Sequence, residues 1–131
     1  MKVVQFILYV SDQDASARFY EKVLAQRPRL NVPGMTEFQL NGGSVLGLMP
    51  AAGIKRLLGD KLPNPNDAKG IPRAEIYLLV EHPEVFHRRA LGNGAIELSS
   101  LSARDWGHEA AYSLDPDGHV LVFARECANA S

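Results

Sequence analysis

Apolar residues run almost without a break from Val3 to Val10, interrupted only by Gln5. Such a short run, rich in Val, Ile and aromatic residues, predicts a strand covered on both faces, with Gln5 as its odd residue. Asp12 stands where a helix N-cap belongs, and Ala15, Phe19 and Val23, with Tyr20 and Leu24 beside them, form a stripe at helical spacing. That stripe predicts an amphipathic helix ending near Ala25. Arg27 to Leu30 reads as a short strand. Thr36 to Leu40 and Ser44 to Met49 are extended runs joined by Asn41-Gly42-Gly43, whose tolerance of positive φ suits a hairpin. Residues 1–50 therefore read βαβββ.

The pattern then pauses and restarts. In 51–72 a short amphipathic turn with Ile54, Leu57 and Leu58, flanked by Gly53 and Gly59, precedes LPNPNDAKGIP, which opposes regular structure and reads as a linker or flap. Ala74 to Val80 is again an apolar strand. Pro83 suits a first helical turn, Val85, Phe86 and Ala90 face inward, and Gly92-Asn93-Gly94 stops the helix. Ile96 to Leu98, Trp106 to Leu114 and His119 to Arg125 read as strands, the last two joined by Asp115-Pro116-Asp117-Gly118. Residues 73–126 thus repeat βαβββ. An offset of 70 residues sets Phe6, Ile7 and Leu8 against Ile76, Tyr77 and Leu78, 74 sets Phe38 against Tyr112, and 75 sets Val45 to Leu48 against Val120 to Phe123. Duplication is the economical account. It predicts an α+β domain over 1–131, two βαβββ modules forming a curved mixed sheet around a cleft, with the helices outside.

Composition narrows the function classes. The 131 residues are 46% apolar and 22% charged, enough for one domain to bury a core without disulfides or structural metals. With 14 basic and 15 acidic side chains the net charge is −1, so no basic surplus exists to bind nucleic acid or a membrane surface. The apolar start is too short to cross a bilayer and lacks a signal-peptide cleavage site, and the single Cys127 has no cysteine partner. Both point to the cytoplasm.

Val10-x-Asp12-x-x-x-Ser16-x-x-Phe19-Tyr20-x-x-Val23-Leu24, together with Asp115-Pro116-Asp117-Gly118 and the following strand, resembles the vicinal oxygen chelate superfamily of glyoxalase I, bleomycin-resistance proteins and extradiol dioxygenases. The likeness runs from about Val4 to Phe123, and one departure is Ala25 where the family usually has Gly. The resemblance implies a homodimer and, in the enzymes, a divalent metal held by the first and last strands of each module. At the matching positions this chain has Gln5 and Glu75, both possible ligands, and Gly47 and Val122, which are not. Two protein ligands are too few for a catalytic ion. The expectation is therefore no metal; the alternative is a glyoxalase-type lyase or isomerase holding Ni, Zn, Mn or Fe through Gln5 and Glu75.

Strand parity supplies the candidate wall. Gln5, Ile7 and Tyr9 share a face with Val45, Gly47 and Met49 in one module, and Glu75, Tyr77 and Leu79 share one with Val120, Val122 and Ala124 in the other. This lining suits a small, largely apolar or aromatic molecule. Trp106 and His108 join it if they face the cleft's mouth rather than the helix layer, and Arg73, two residues before Glu75, either anchors a ligand carboxylate or is a solvated strand end. Glu75, a carboxylate in an apolar strand, is a hydrogen-bonded bridge to Gln5, a metal ligand, or a general base for a proton alpha to a carbonyl. His82 and His87 read as exposed surface residues, and His119 faces away from Val120 and Val122.

Overall fold

In the computed structural model, which describes residues 1–128, the chain forms two compact units, Met1–Lys69 and Gly70 onward. The first contains strand β1 (Val4–Val10), helix α1 (Gln13–Leu24), β2 (Leu30–Val32), β3 (Met35–Asn41), β4 (Ser44–Pro50) and helix α2 (Ala51–Leu58). The second contains β5 (Glu75–Leu79), α3 (Pro83–Gly92), β6 (Ile96–Ala103), β7 (His108–Leu114) and β8 (Val120–Glu126). Each unit carries a four-stranded mixed sheet, ordered β1-β4-β3-β2 and β5-β8-β7-β6, with its first and last strands parallel. The βαβββ repeat is present in both. No helix among the described residues is long and apolar enough to cross a membrane.

The Asp12 carboxylate caps α1 by accepting from the Ala15 N–H at 3.0 Å, meeting one of the donors that a helix start leaves unpaired. Phe19, Tyr20 and Val23 then lie buried along one side of the helix. Tyr20 meets Phe38 of β3 with ring centroids 6.5 Å apart, and Phe38 and Leu46 are paired neighbours in the sheet. In the second unit Phe86 of α3 packs on Phe123 of β8, centroids 5.0 Å apart. The helix therefore covers the face of Phe38 and Leu46 in one sheet, and of Ala111 and Phe123 in the other. Each fully buried side chain of this size contributes roughly 1.5–3 kcal/mol relative to exposure.

Sheet register refines the repeat. Gln5 pairs with Val45 and Glu75 with Val120, while Ile7 pairs with Gly47 and Tyr77 with Val122, so the offsets of 70 and 75 hold. The 74-residue match of Phe38 to Tyr112 does not. Glu37 pairs with Gly47 as Tyr112 pairs with Val122, which makes Tyr112 the counterpart of Glu37 and Ser113 that of Phe38. Alternation explains the error, because a slip of one residue exchanges the two faces of a strand.

Other expectations shift for local reasons. Strand β2 lies at Leu30–Val32 rather than Arg27 to Leu30, β6 extends to Ala103, and β7 begins at His108 rather than Trp106. Gly42 and Gly43 do not use the left-handed region; the hairpin is held by the Asn41 side chain, which accepts from the Gly43 N–H at 3.0 Å. The expected flap begins as a true helix: α2 contacts β4 and β1, buries Ala51 and Ile54, and leaves Leu57 and Leu58 exposed. Lys55 then donates to the carbonyls of Gly59 and Leu62, tethering the chain beyond the helix.

His87 is the clearest reversal. It is only 7% exposed because Pro83, His87 and Ala90 form the buried stripe of α3, whereas the expected inward residue Val85 is exposed. His82 is exposed as expected. The His87 Nε2 lies 2.9 Å from a Glu97 carboxylate oxygen, joining the helix to β6.

Two positions carry opposite backbone consequences. Ala25, the C-cap of α1, sits at φ 54°, ψ 43°, in the left-handed region that disfavours a Cβ. Gly118, at φ +87°, packs on the backbone of Gly70, where an added Cβ would lie 2.6 Å from the Gly70 carbonyl oxygen. We expect Ala25→Gly to raise stability by about 1 kcal/mol. We expect Gly118→Ala to lower it by about 2–3 kcal/mol. Urea unfolding of both variants measures the two shifts.

Candidate functional site

The face turned away from α1 carries a polar chain that begins at Gln5. Its Nε2 donates to Glu37 Oε2 at 2.8 Å, and the Arg29 Nε donates to Glu37 Oε1 at 2.8 Å. Arg29 Nη1 continues the chain to Gln39 Oε1 at 2.9 Å. Gly47 makes this arrangement possible, since a Cβ there would stand 2.9 Å from the Gln5 Nε2 and 3.0 Å from Ile7 Cγ1. The Gln5 amide occupies the space that a side chain at 47 would take. Ile7, Tyr9, Val45 and Met49 share this face, as their pairing requires.

The Gln5 amide exerts the largest pull on the Glu37 carboxyl, against the opposing cost of burial, and the Arg29 guanidinium adds a hydrogen bond and its charge. Together they hold Glu37 below its ordinary value. Gln5, one of the partners considered for Glu75, donates its amide N–H to Glu37 within its own module. Arg29, Glu37 and Gln39 were missed in the sequence. The available signal was alternation, because Glu37 and Gln39 are polar positions flanking Phe38, whose side chain turns toward the helix.

In the second unit the face away from α3 is built on Ala110, Val122 and Ala124, all fully buried, with Tyr77, Tyr112 and Val120 packed against them. The Tyr77 hydroxyl lies 2.7 Å from His108 Nδ1, and their rings are 5.7 Å apart between centroids, inclined by 34°. The Trp106 Nε1–H donates to the same hydroxyl at 2.9 Å, although the indole remains 55% exposed. Trp106 and His108 thus join Tyr77 on the face opposite the helix.

Arg104 lies over the Tyr112 ring, 5.1 Å from its centroid, and is tied by hydrogen bonds to Ser99, Ser100 and Ala110. Burial pushes the Tyr112 hydroxyl above its ordinary value, Glu75 and Tyr77 add to that through their charge, and Arg104 opposes it. Glu75 itself is exposed at the start of the edge strand β5. The expectation of a carboxylate sealed in an apolar strand is corrected, because an edge strand's first residue keeps contact with water. Arg73 lies exposed before the strand begins, and no ion pair joins it to Glu75 among the described residues.

Residues 2–123 match the model of the Glyoxalase/Bleomycin resistance protein/Dioxygenase superfamily. The chain belongs to this superfamily. A glyoxalase-related enzyme from Fulvimarina pelagi is 24% identical, with a TM-score of 0.79, covering 100% of this chain and 96% of that one. A glyoxalase/bleomycin resistance protein/dioxygenase from Nocardioides is 19% identical at TM-score 0.75, covering 98% and 85% respectively. A family enzyme from Burkholderia phytofirmans is 16% identical at TM-score 0.75, covering 96% and 99%. These likenesses establish the fold. No curated protein matches the chain.

The residues at the four family metal positions fit a divalent ion poorly. Gln5 spends its Nε2 on Glu37 and leaves only a neutral amide oxygen, Gly47 has no side chain, Val122 presents hydrocarbon, and only Glu75 offers a carboxylate. Both Glu37 oxygens are already engaged, one of them by a cation. No group of three or more His, Cys, Asp or Glu suited to a metal occurs among the described residues.

The folded value of Glu37 lies below its unfolded one. Its contribution to stability is therefore fully present above the unfolded value of about 4.3 and is lost as pH falls through the depressed folded value. We expect Gln5→Ala to move the Glu37 titration upward, followed by carboxyl-carbon NMR, and to shrink the acid-dependent part of the stability.

Proposed function

We propose that the protein binds a small, largely apolar organic molecule without a metal, using the face opposite α3 in the second module as its principal wall. The observation that carries this reading is the Trp106–Tyr77–His108 chain over Val122, an aromatic surface with convergent polar groups. Ile7, Tyr9 and Met49 line the corresponding face of the first module's own sheet. Gln5 serves it as a structural residue, because its amide fills the space beside Gly47. Arg73 and Glu75 are the exposed charged groups available to orient a ligand.

The donor set supports metal independence, since one carboxylate and one neutral amide oxygen are too few for an open catalytic site that ordinarily takes three protein ligands. The reading includes a homodimer, supported by family resemblance and by Phe6, 66% exposed on the edge strand β1. The free thiol of Cys127 supports a reducing compartment such as the cytoplasm.

Metal analysis of untagged protein, repeated after dialysis against Ni, Zn, Mn and Fe, tests the first half of the reading. The expected result is no near-stoichiometric retention; retained metal that is lost in Glu75→Ala overturns it and favours a lyase or isomerase. Fluorescence of Trp106, the only tryptophan, tests the second half. Small aromatic ligands are expected to change the emission, and Tyr77→Ala to weaken their binding about tenfold, close to 1.4 kcal/mol.

A further inference from the structure

The direction of the hydrogen bonds around Tyr77 determines what the wall offers a ligand. An indole nitrogen only donates, so the Tyr77 oxygen accepts from Trp106. Tyr77 makes no other hydrogen bond among the described residues, so its one phenolic proton has a protein partner only at His108 Nδ1, 2.7 Å away. A neutral imidazole accepting at Nδ1 carries its proton on Nε2. The Trp106–Tyr77 bond thereby favours one tautomer of a histidine that Trp106 does not itself bond. Among the described residues Nε2 takes no partner, and it is not sealed from solvent as the Nδ1 of His87 is.

The chain therefore ends in one available donor beside an exposed indole and above an apolar floor of Val122, Ala110 and Ala124. Charge decides between acceptors. Arg104 keeps its charge through its bonds to Ser99, Ser100 and Ala110, but at the neighbouring Tyr112 hydroxyl the Glu75 carboxylate outweighs it, and Glu75 shares the face of Tyr77. The nearby field thus disfavours an anionic ligand.

We propose that this site selects neutral aromatic compounds bearing a carbonyl oxygen, the ring lying against Trp106 and the oxygen accepting from His108 Nε2–H. The proposal rests on the binding reading above and adds the class of ligand. Tyr77 acts here as a positioning residue, because it reaches the ligand through His108.

The probes are acetophenone, ethylbenzene and benzoate, titrated against the full chain by Trp106 fluorescence. These share a ring and differ in the acceptor and the charge. Acetophenone is expected to bind about tenfold tighter than ethylbenzene, the size of one net hydrogen bond, and tighter than benzoate. The tenfold preference is expected to vanish in His108→Phe. Nitrogen NMR of the wild-type histidines is expected to place the His108 proton on Nε2, and Tyr77→Phe to lose that fixed tautomer. Equal affinity for acetophenone and ethylbenzene, tighter binding of benzoate, or a proton on Nδ1 overturns the proposal and leaves the binding reading standing. Binding of none of the three overturns both.

Discussion

Ile7 lies opposite Gly47, and Tyr77 lies opposite Val122, because the first and last strands of each module pair in parallel at one register. Everything functional depends on that pairing. Side chains alternate along a strand, so the register decides which residues turn to the helix and which turn away. Phe38, Leu46 and Phe123 go to the helix side and build the core. Gln5, Glu37, Tyr77 and Tyr112 go to the other.

The same register exposes how two copies of one module have diverged. Gln5 with Glu37 and Glu75 with Tyr112 are equivalent pairs, amide against carboxylate in one module and carboxylate beside phenol in the other. In the first, a glycine at 47 admits the Gln5 amide and a polar chain runs through Glu37 and Arg29 to Gln39. In the second, Val122 supports two tyrosines, and the polar chain ends in a histidine. One module has spent its polar groups on internal bonds. The other keeps an aromatic surface with a donor to offer.

The superfamily fold accommodates lyases, dioxygenases and sequestering proteins, so membership alone says little about chemistry. The distinction lies in the side chains at a few equivalent positions. A cation such as Arg29, held against the one carboxylate of its sheet face, competes with any divalent ion for that group.

The two βαβββ modules, the capped first helix and the faces of Gln5, Ile7 and Tyr77 were legible from periodicity, since alternation and helical spacing are local properties of the chain. That Gly47 and Val122 carry no ligating side chain is read from their identities, at positions that the family resemblance supplies. The shift of Tyr112 onto Glu37, the burial of His87 and the bond of Gln5 to Glu37 were not legible. Each depends on register or on helix phase between segments far apart in sequence, and a displacement of one position reverses the outcome. Glu75 shows the same limit from the other side: its apolar neighbours suggested burial, but its strand is the edge of its sheet, and only the order of strands decides that. The Trp106–Tyr77–His108 chain joins residues 29 and 31 positions apart, a contact that pairing distances alone create.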